Sequence, residues 1–266
     1  MDEISKTKHK IIKQLPILSN DKDKLQVVCF KWYKKKARYN HITIYDHNHV
    51  NQLYYALLQY LDMPFEFVCF TDDVSGIHPD IYTILLPEEI KLLKARYTKL
   101  LIFADEMKYI IGNHILCLDL DTVITDDITS LVDINDDFKI YNGTAGKGTP
   151  YNSSLIRMKA GKRKHVWDNF NDHSYNYVKQ SSFIGSDQAW IGLVLGSNEK
   201  TYTRLDGIYL FRNIRQHRQL PNNAKIVFFS GTTDPSHESL HEKYNWIKQY
   251  WCRSFNESSN TLDEKN

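Results

Sequence analysis

The sequence predicts an α/β chain: a mostly parallel central sheet flanked by helices, in a single domain. Three observations carry this. Val27-Val28-Cys29-Phe30 is a continuous apolar run of strand formers, the pattern of a strand buried on both faces. Val50, Leu53, Tyr54, Leu57, Leu58 and Leu61 then recur at helical spacing on one face, as a core-packed amphipathic helix requires. After Pro64, residues 65–70 form a second apolar run. Strand, helix, strand in that order is a βαβ unit, which pairs its strands in parallel.

The other elements follow along the chain. Residues 1–24 are polar and Lys-rich, with a brief Ile11-Ile12 apolar spot, and are expected to form a leader ahead of a domain spanning 25–255. Residues 81–86 read as a short strand closed by Pro87, and Tyr97, Leu100, Leu101, Ala104 and Met107 mark a second amphipathic helix. Residues 115–118 form a strand that runs directly into Asp119-Leu120-Asp121. Beyond it, 139–141 and 153–158 read as strands with a glycine-rich loop between them, 163–170 and 187–195 as helices, and 225–229 as a late strand. The tail, 256–266, is polar and expected to be disordered. No repeat or linker divides the chain.

Bulk properties exclude several functions. A chain of 266 residues buries a substantial core. Its 34 basic residues against 32 acidic ones, a net charge of +2, give no electrostatic reason to expect a nucleic-acid partner. The basic run Lys34-Lys35-Lys36 with Arg38 reads as a solvated loop. Cys29, Cys69 and Cys117 sit inside apolar runs without metal-ligand spacing, and Cys252 lies far from them. Buried free thiols and a reducing, cytoplasmic location are expected. No signal-peptide core or membrane-spanning run is present, so the glycosylation-type triplets at Asn142, Asn152 and Asn256 are expected to be chance matches.

The sharpest local feature is Leu116-Cys-Leu-Asp119-Leu-Asp121-Thr122. Side chains two apart on a strand point the same way, so both carboxylates can converge on one divalent cation. The carboxyl end of a strand in an open α/β sheet is also where ligands bind. Hard oxygen ligands suit Mn²⁺ or Mg²⁺, which bridge nucleotide phosphates. A bare Asp-x-Asp also serves as a turn or capping pair; the apolar strand leading into it favours the metal. The loop Gly143-Thr-Ala-Gly146-Lys147-Gly148-Thr149 fails the spacing of a phosphate-binding P-loop. A strand ending in Asp-x-Asp near a Thr also resembles the first motif of haloacid-dehalogenase-like phosphatases. Those usually place a Gly or Ser before the Thr, whereas Thr122 follows Asp121 directly.

An ordered set of motifs resembles the glycogenin-like GT-A glycosyltransferases (family 8-like), especially uncharacterised bacterial and viral members. These motifs are Phe30-Lys31-Trp32, Thr71-Asp72-Asp73, Tyr97-Thr98-Lys99-Leu100, Asp119 through Asp127, Tyr151-Asn152-Ser153-Ser154, Gly185-Ser186-Asp187-Gln188 and the pair Trp246 and Trp251. The resemblance spans about Val27 to Trp251. It implies a GT-A (Rossmann-like) fold and transfer of a sugar from a nucleotide-sugar donor, a UDP-sugar in the first instance, to a hydroxyl acceptor with retained configuration. The acceptor would be a glycan, a lipid-linked sugar or a protein. It further implies that Val28, Phe30, Lys31 and Trp32 line the nucleotide pocket, with Thr71 and Asp72 near the base and ribose. Lys99 would meet the diphosphate or the sugar; without the resemblance it is an ordinary helix-surface lysine. Asp119 and Asp121, with Leu120 between them, would hold Mn²⁺ or Mg²⁺. Asn152, Ser153, Asp187 and Gln188 would surround the donor sugar, the last two being the catalytic candidates. Asp187 also suits the first turn of a helix.

One departure stands out. Ser230 occupies the place where relatives carry a histidine metal ligand, leaving Asp234 or His237 as substitutes. It keeps open a catalytically inactive relative that binds a sugar nucleotide or a glycan. His47 and His49 open a helix and read as polar surface. The aromatic and basic stretch from Tyr244 to Phe255 allows at most peripheral membrane association, and packing against the sheet is its plainer reading.

Overall fold

The computed structural model describes residues 2–32, 45–93, 95–143, 148–231 and 233–251. The basic run at 34–38, most of the glycine-rich loop (144–147), Cys252 and the tail 256–266 lie outside the described residues. The strands are β1 (Leu25–Lys31), β2 (Phe65–Thr71), β3 (Tyr82–Leu85), β4 (His114–Leu118), β5 (Thr122–Ile124), β6 (Phe138–Tyr141), β7 (Asn152–Lys159), β8 (Thr201–Tyr202), β9 (Ile208–Leu210) and β10 (Ile226–Phe228). The α-helices are α1 (Glu3–Gln14), α2 (His47–Tyr60), α3 (Met107–Ile110), α4 (His165–Asp168), α5 (Ser174–Gln180), α6 (Asp187–Leu195), α7 (Phe211–Ile214) and α8 (Glu238–Lys243). Residues 245–251 are also helical.

Seven strands form one sheet in the order β3-β2-β1-β4-β7-β6-β8. The pairs β3/β2, β2/β1, β1/β4 and β6/β8 are parallel, and β7 runs antiparallel to both of its neighbours. The mixed α/β class and mostly parallel sheet expected from the βαβ pattern are therefore what the chain adopts. Alternation along β1 sorts its side chains between two cores. Val28 and Phe30 join Val68, Phe70 and Ile84 on the face covered by α1 and α4 to α6, while Val27 and Cys29 join Phe67, Cys69 and Leu116 on the α2 face. Cys29, Cys69 and Cys117 are buried free thiols. A second, three-stranded sheet, β5-β10-β9, carries its own core, in which Trp246, Ile247 and Trp251 are buried. Those C-terminal aromatics thus face the protein. Among the described residues no helix is long and apolar enough to cross a membrane.

Two elements differ from the sequence expectation. The polar stretch ahead of β1 contains α1, capped by Asp2, which accepts from the Ser5 amide at 3.0 Å. Ile4, Thr7, Lys8 and Ile11 form its buried face. The Lys8 ammonium donates to the main-chain oxygens of Trp167, Asp168 and Phe170 at the end of α4. Such carbonyls at a helix end need outside donors. Asp172 in turn accepts from the amides of Glu3 and Ile4. The helix expected around Tyr97 to Met107 is instead a 3-10 helix, Ala95–Phe103, followed by the single turn α3. Apolar residues three and four apart satisfy either winding, so spacing alone does not separate them.

Candidate functional site

Parallel pairing brings the carboxyl ends of β1, β2 and β4 to one edge of the sheet, and the antiparallel β7 begins at that same edge. The Asp119 amide donates to the Ser154 carbonyl at 3.1 Å, fastening the Asp-x-Asp segment beside the start of β7. On its other side the Phe229 amide donates to the Asp121 carbonyl at 2.9 Å, which brings the end of β10 against the same segment.

Lys99, Asp119, Ser153 and Asp187 form one connected group. The buried Lys99 ammonium donates to Asp119 Oδ1 and to the Ser153 carbonyl, the latter at 3.1 Å. Ser153 Oγ donates to Asp187 Oδ2 at 2.6 Å. Burial alone would favour a neutral Lys99, but the negative charges of Asp119 and then Asp187 outweigh it and hold the amine well above its ordinary range. Lys99 is therefore no surface lysine: the winding of residues 95–103 turns it into the sheet edge, 6 % exposed.

Asp121 is 7 % exposed, and its Oδ2 accepts from the Tyr45 hydroxyl at 2.9 Å. Its carboxyl group is pushed up to about 8, first by burial and then by the charge of Asp119, with Asp234 adding to the effect; Tyr45 and Lys99 oppose it. Tyr45 is held in its neutral, donating form by burial and by the carboxylates beside it. Sequence reasoning passed over Tyr45, which carries no local signal.

Asp234 is fully buried, and its Oδ1 lies 3.2 Å from Nε2 of His49 while also accepting from the Ser236 amide at 2.9 Å. The Nδ1 of His49 meets Asp46 Oδ1 at 2.8 Å, within the capping box that starts α2. His49 is thus buried, contrary to the polar-surface reading, and its ring packs edge-on against Tyr45 and Trp251. Burial opposes its protonation, but Asp234 and Asp46 raise it above the usual histidine range. Ser230, where a histidine was expected, is exposed.

The other predicted residues sort by position. Lys31 donates to Thr71 Oγ1 at 3.3 Å and to the Asp73 carbonyl at 2.6 Å, tying the ends of β1 and β2 together, with Asp72 half-buried beside them. Phe30 stacks on Phe70 at 4.9 Å, and Trp32 meets it edge-on. Val28 and Leu120 pack inside the two cores. The Asn152 side chain accepts from the Ser154 amide at 2.8 Å. Gln188 donates to the Ile184 carbonyl at 3.0 Å. Gly185, at φ 100°, lies so close that a Cβ there would meet the Gln188 side chain at 2.4 Å.

The fit to a hard cation can be judged from these groups. Asp121 is raised by burial and by Asp119, so the pair carries repulsion that a cation relieves, and Asp234 Oδ2 is buried without a hydrogen-bond partner. Among the described residues no three His, Cys, Asp or Glu side chains gather into a metal cluster. Mg²⁺-like ions are commonly held by one or two carboxylates together with substrate phosphates, so the two aspartates fit that mode.

Several solved structures share this architecture. The galactosyltransferase LgtC, solved with donor and acceptor sugar analogues, matches with a TM-score of 0.54 at 12 % identity, over 85 % of this chain and 96 % of that one. The glycosyltransferase GlyE of Streptococcus pneumoniae TIGR4 matches with a TM-score of 0.55 at 13 % identity, over 90 % of this chain and 64 % of GlyE. The bifunctional glycosyltransferase WbbM matches at 0.56 and 13 %, over 88 % of this chain and 51 % of WbbM. The fold is thus that of GT-A glycosyltransferases. No protein-family model and no curated protein matches the chain.

Proposed function

We propose that the chain is a metal-dependent glycosyltransferase that moves a sugar from a nucleotide-sugar donor, most simply a UDP-sugar, to a hydroxyl acceptor with retention. The observation that carries the reading is the Lys99–Asp119–Asp121 constellation at the carboxyl edge of a GT-A sheet. Asp119 and Asp121 would hold Mn²⁺ or Mg²⁺, which when bound supplies Lewis-acid stabilisation of a departing diphosphate.

The remaining roles fall to the chain itself. Lys99, kept charged by Asp119 and Asp187, adds a fixed positive charge beside the leaving group, where preorganised charge is most effective. Ser153 orients Asp187 toward the donor sugar, and Asn152 and Gln188 offer hydrogen bonds to sugar hydroxyls. Lys31, Thr71 and Asp72 at the ends of β1 and β2 support the nucleoside, with Phe30 and Trp32 as its apolar wall. The donor and acceptor analogues bound to LgtC make both partner classes reasonable for this fold.

The test is turnover of a panel of UDP- and GDP-sugars with and without Mn²⁺. Metal-dependent release of nucleoside diphosphate from one donor, lost in Asp119→Asn and Asp121→Asn, supports the reading. Turnover unchanged in both variants sinks it. Metal-dependent binding with no turnover across the panel identifies a binding relative instead.

A further inference from the structure

A second feature lies on the same rim of the sheet, two strands from Asp119. Tyr141 at the end of β6 is paired on one side with Asn152 and on the other with Tyr202 of β8. Two strand spacings put this point roughly 10 Å from the Asp-x-Asp segment, about the reach of one or two sugar rings. Beyond the strand ends an open cavity of about 330 Å³ is lined by Tyr141, Asn142, Gly143, Arg204, Leu205 and Asn213, among others. That volume lies at the small end of the ligand-pocket range.

Its charge is uneven. Arg204 lines the cavity, and Arg212 stands next to Asn213 on α7; both side chains are exposed. Burial pushes the Tyr141 phenol up to about 12, and the charges of Arg204 and then Arg212 oppose that rise. Among the described residues neither arginine has an ion-pair partner. Arg163 elsewhere is held by Glu199 at 2.6 and 2.8 Å. The nearest acid in sequence, Asp206, is already engaged by Lys139 at 3.1 Å and by the Thr203 amide and hydroxyl. Asn142 and Asn213 add carboxamides, and Gly143 lies flat on the Tyr141 ring, where a Cβ would meet it at 2.2 Å. Arg204, without an ion-pair partner among the described residues, stands on the wall of a small and mainly apolar cavity. Its guanidinium fork suits the paired oxygens of a carboxylate or a phosphate on a sugar whose ring packs against that wall.

We infer that this cavity receives the acceptor and selects one that carries a carboxylate or phosphate on the sugar docked against Arg204. The inference rests on the transferase reading for the word acceptor, and on the cavity alone for its choice of an anion.

The test is equilibrium binding, with UDP and Mn²⁺ present at saturation to block the donor site. The probes are methyl glucuronide and glucose 6-phosphate, each compared with neutral methyl glucoside. The expected result is acidic probes bound about tenfold more tightly than the neutral one, a preference that Arg204→Gln or Arg212→Gln removes. Exposed Arg218 does not line the cavity, and Arg218→Gln leaves the preference intact. A preference for glucuronide alone or for the phosphate alone names the anion. Equal affinity for acidic and neutral probes overturns the inference, as does a preference indifferent to Arg204 and Arg212. So does loss of binding to phosphatidylglycerol vesicles in Arg204→Gln with the saccharide preference unchanged, which would mark a membrane contact. UDP-sugar binding, followed in the same samples, separates the two readings. If it is present without an acid preference, only this inference falls; if it is absent while the preference persists, the transferase reading falls and the anion site stands.

Discussion

Tyr45 places its hydroxyl 2.9 Å from Oδ2 of Asp121, giving the more deeply buried carboxylate of the pair its hydrogen bond from a residue 76 positions away. One such donor does not offset burial and the charge of Asp119, and the Asp121 carboxyl group stays at about 8. A site organised in this way stores repulsion that ligand binding relieves. Its metal-free state should be less stable than the fold allows.

Asp121→Asn should therefore stabilise the protein in EDTA while abolishing Mn²⁺ binding. With its pKa raised in the folded state, Asp121 binds a proton more readily when folded than unfolded between about pH 4 and 8. Stability consequently falls as pH rises through that window. Urea unfolding should show the variant ahead of wild type by about 1–2 kcal/mol at pH 8.5, and near parity at pH 4. A variant less stable at pH 8.5 would show that the carboxylate is not strained.

Lys99 meets both Asp119 and Ser153, so its removal should be felt in the chemical step. Lys99→Ala is expected to lower kcat about 100-fold, the usual effect of losing one preorganised charge at a developing anion. Steady-state kinetics with the active donor measures this. A rise in KM with kcat unchanged would assign Lys99 to ground-state binding instead.

His49 and Asp234 form a buried pair separated by 185 residues. Burial works to raise Asp234, but His49 and then Ser236 outweigh it and hold the carboxyl group lowered, while His49 is raised. The Asp234 contribution is present above its unfolded pKa near 4 and is lost as pH falls through the lowered value. The His49 contribution is full below about 6.5 and is lost as pH rises through the raised value. Asp234→Asn should cost about 3 kcal/mol between pH 5 and 6, and the deficit should shrink above neutrality. Denaturation midpoints across pH 4.5 to 9 test this, and a pH-independent deficit would argue against a charged pair.

The α1 helix offers a test of packing. Ile11 is fully buried against the core that α4 to α6 complete, so Ile11→Ala is expected to cost about 2–5 kcal/mol. A loss under 0.5 kcal/mol by calorimetry would mean that α1 is not an integral part of the fold.

How much of this was legible in the sequence depended on whether the signal was local. The strands β1, β2 and β4 announce themselves as unbroken apolar runs, and α6 follows the predicted span 187–195. The helix α1 was hidden because Thr7 and the aliphatic stem of Lys8 fill half of its buried face, leaving only Ile4 and Ile11 as apolar markers. At the site, Asp119, Asp121 and Lys99 stood out through motif spacing. The burial of His49 by Asp234 and the bond from Tyr45 are made by the fold between distant segments. Nothing near His49 in the sequence distinguishes a buried, doubly paired ring from a surface one.

The central claim is that Asp119 and Asp121 hold a divalent cation that captures a nucleotide-sugar diphosphate. Isothermal titration of UDP-sugars into wild type, Asp119→Asn and Asp121→Asn, with Mn²⁺ or with EDTA, tests it most directly. The account predicts binding by wild type in Mn²⁺, at least tenfold weaker binding in EDTA, and none in Asp121→Asn. Equal binding in Mn²⁺ and EDTA, or binding that survives both substitutions, would contradict it.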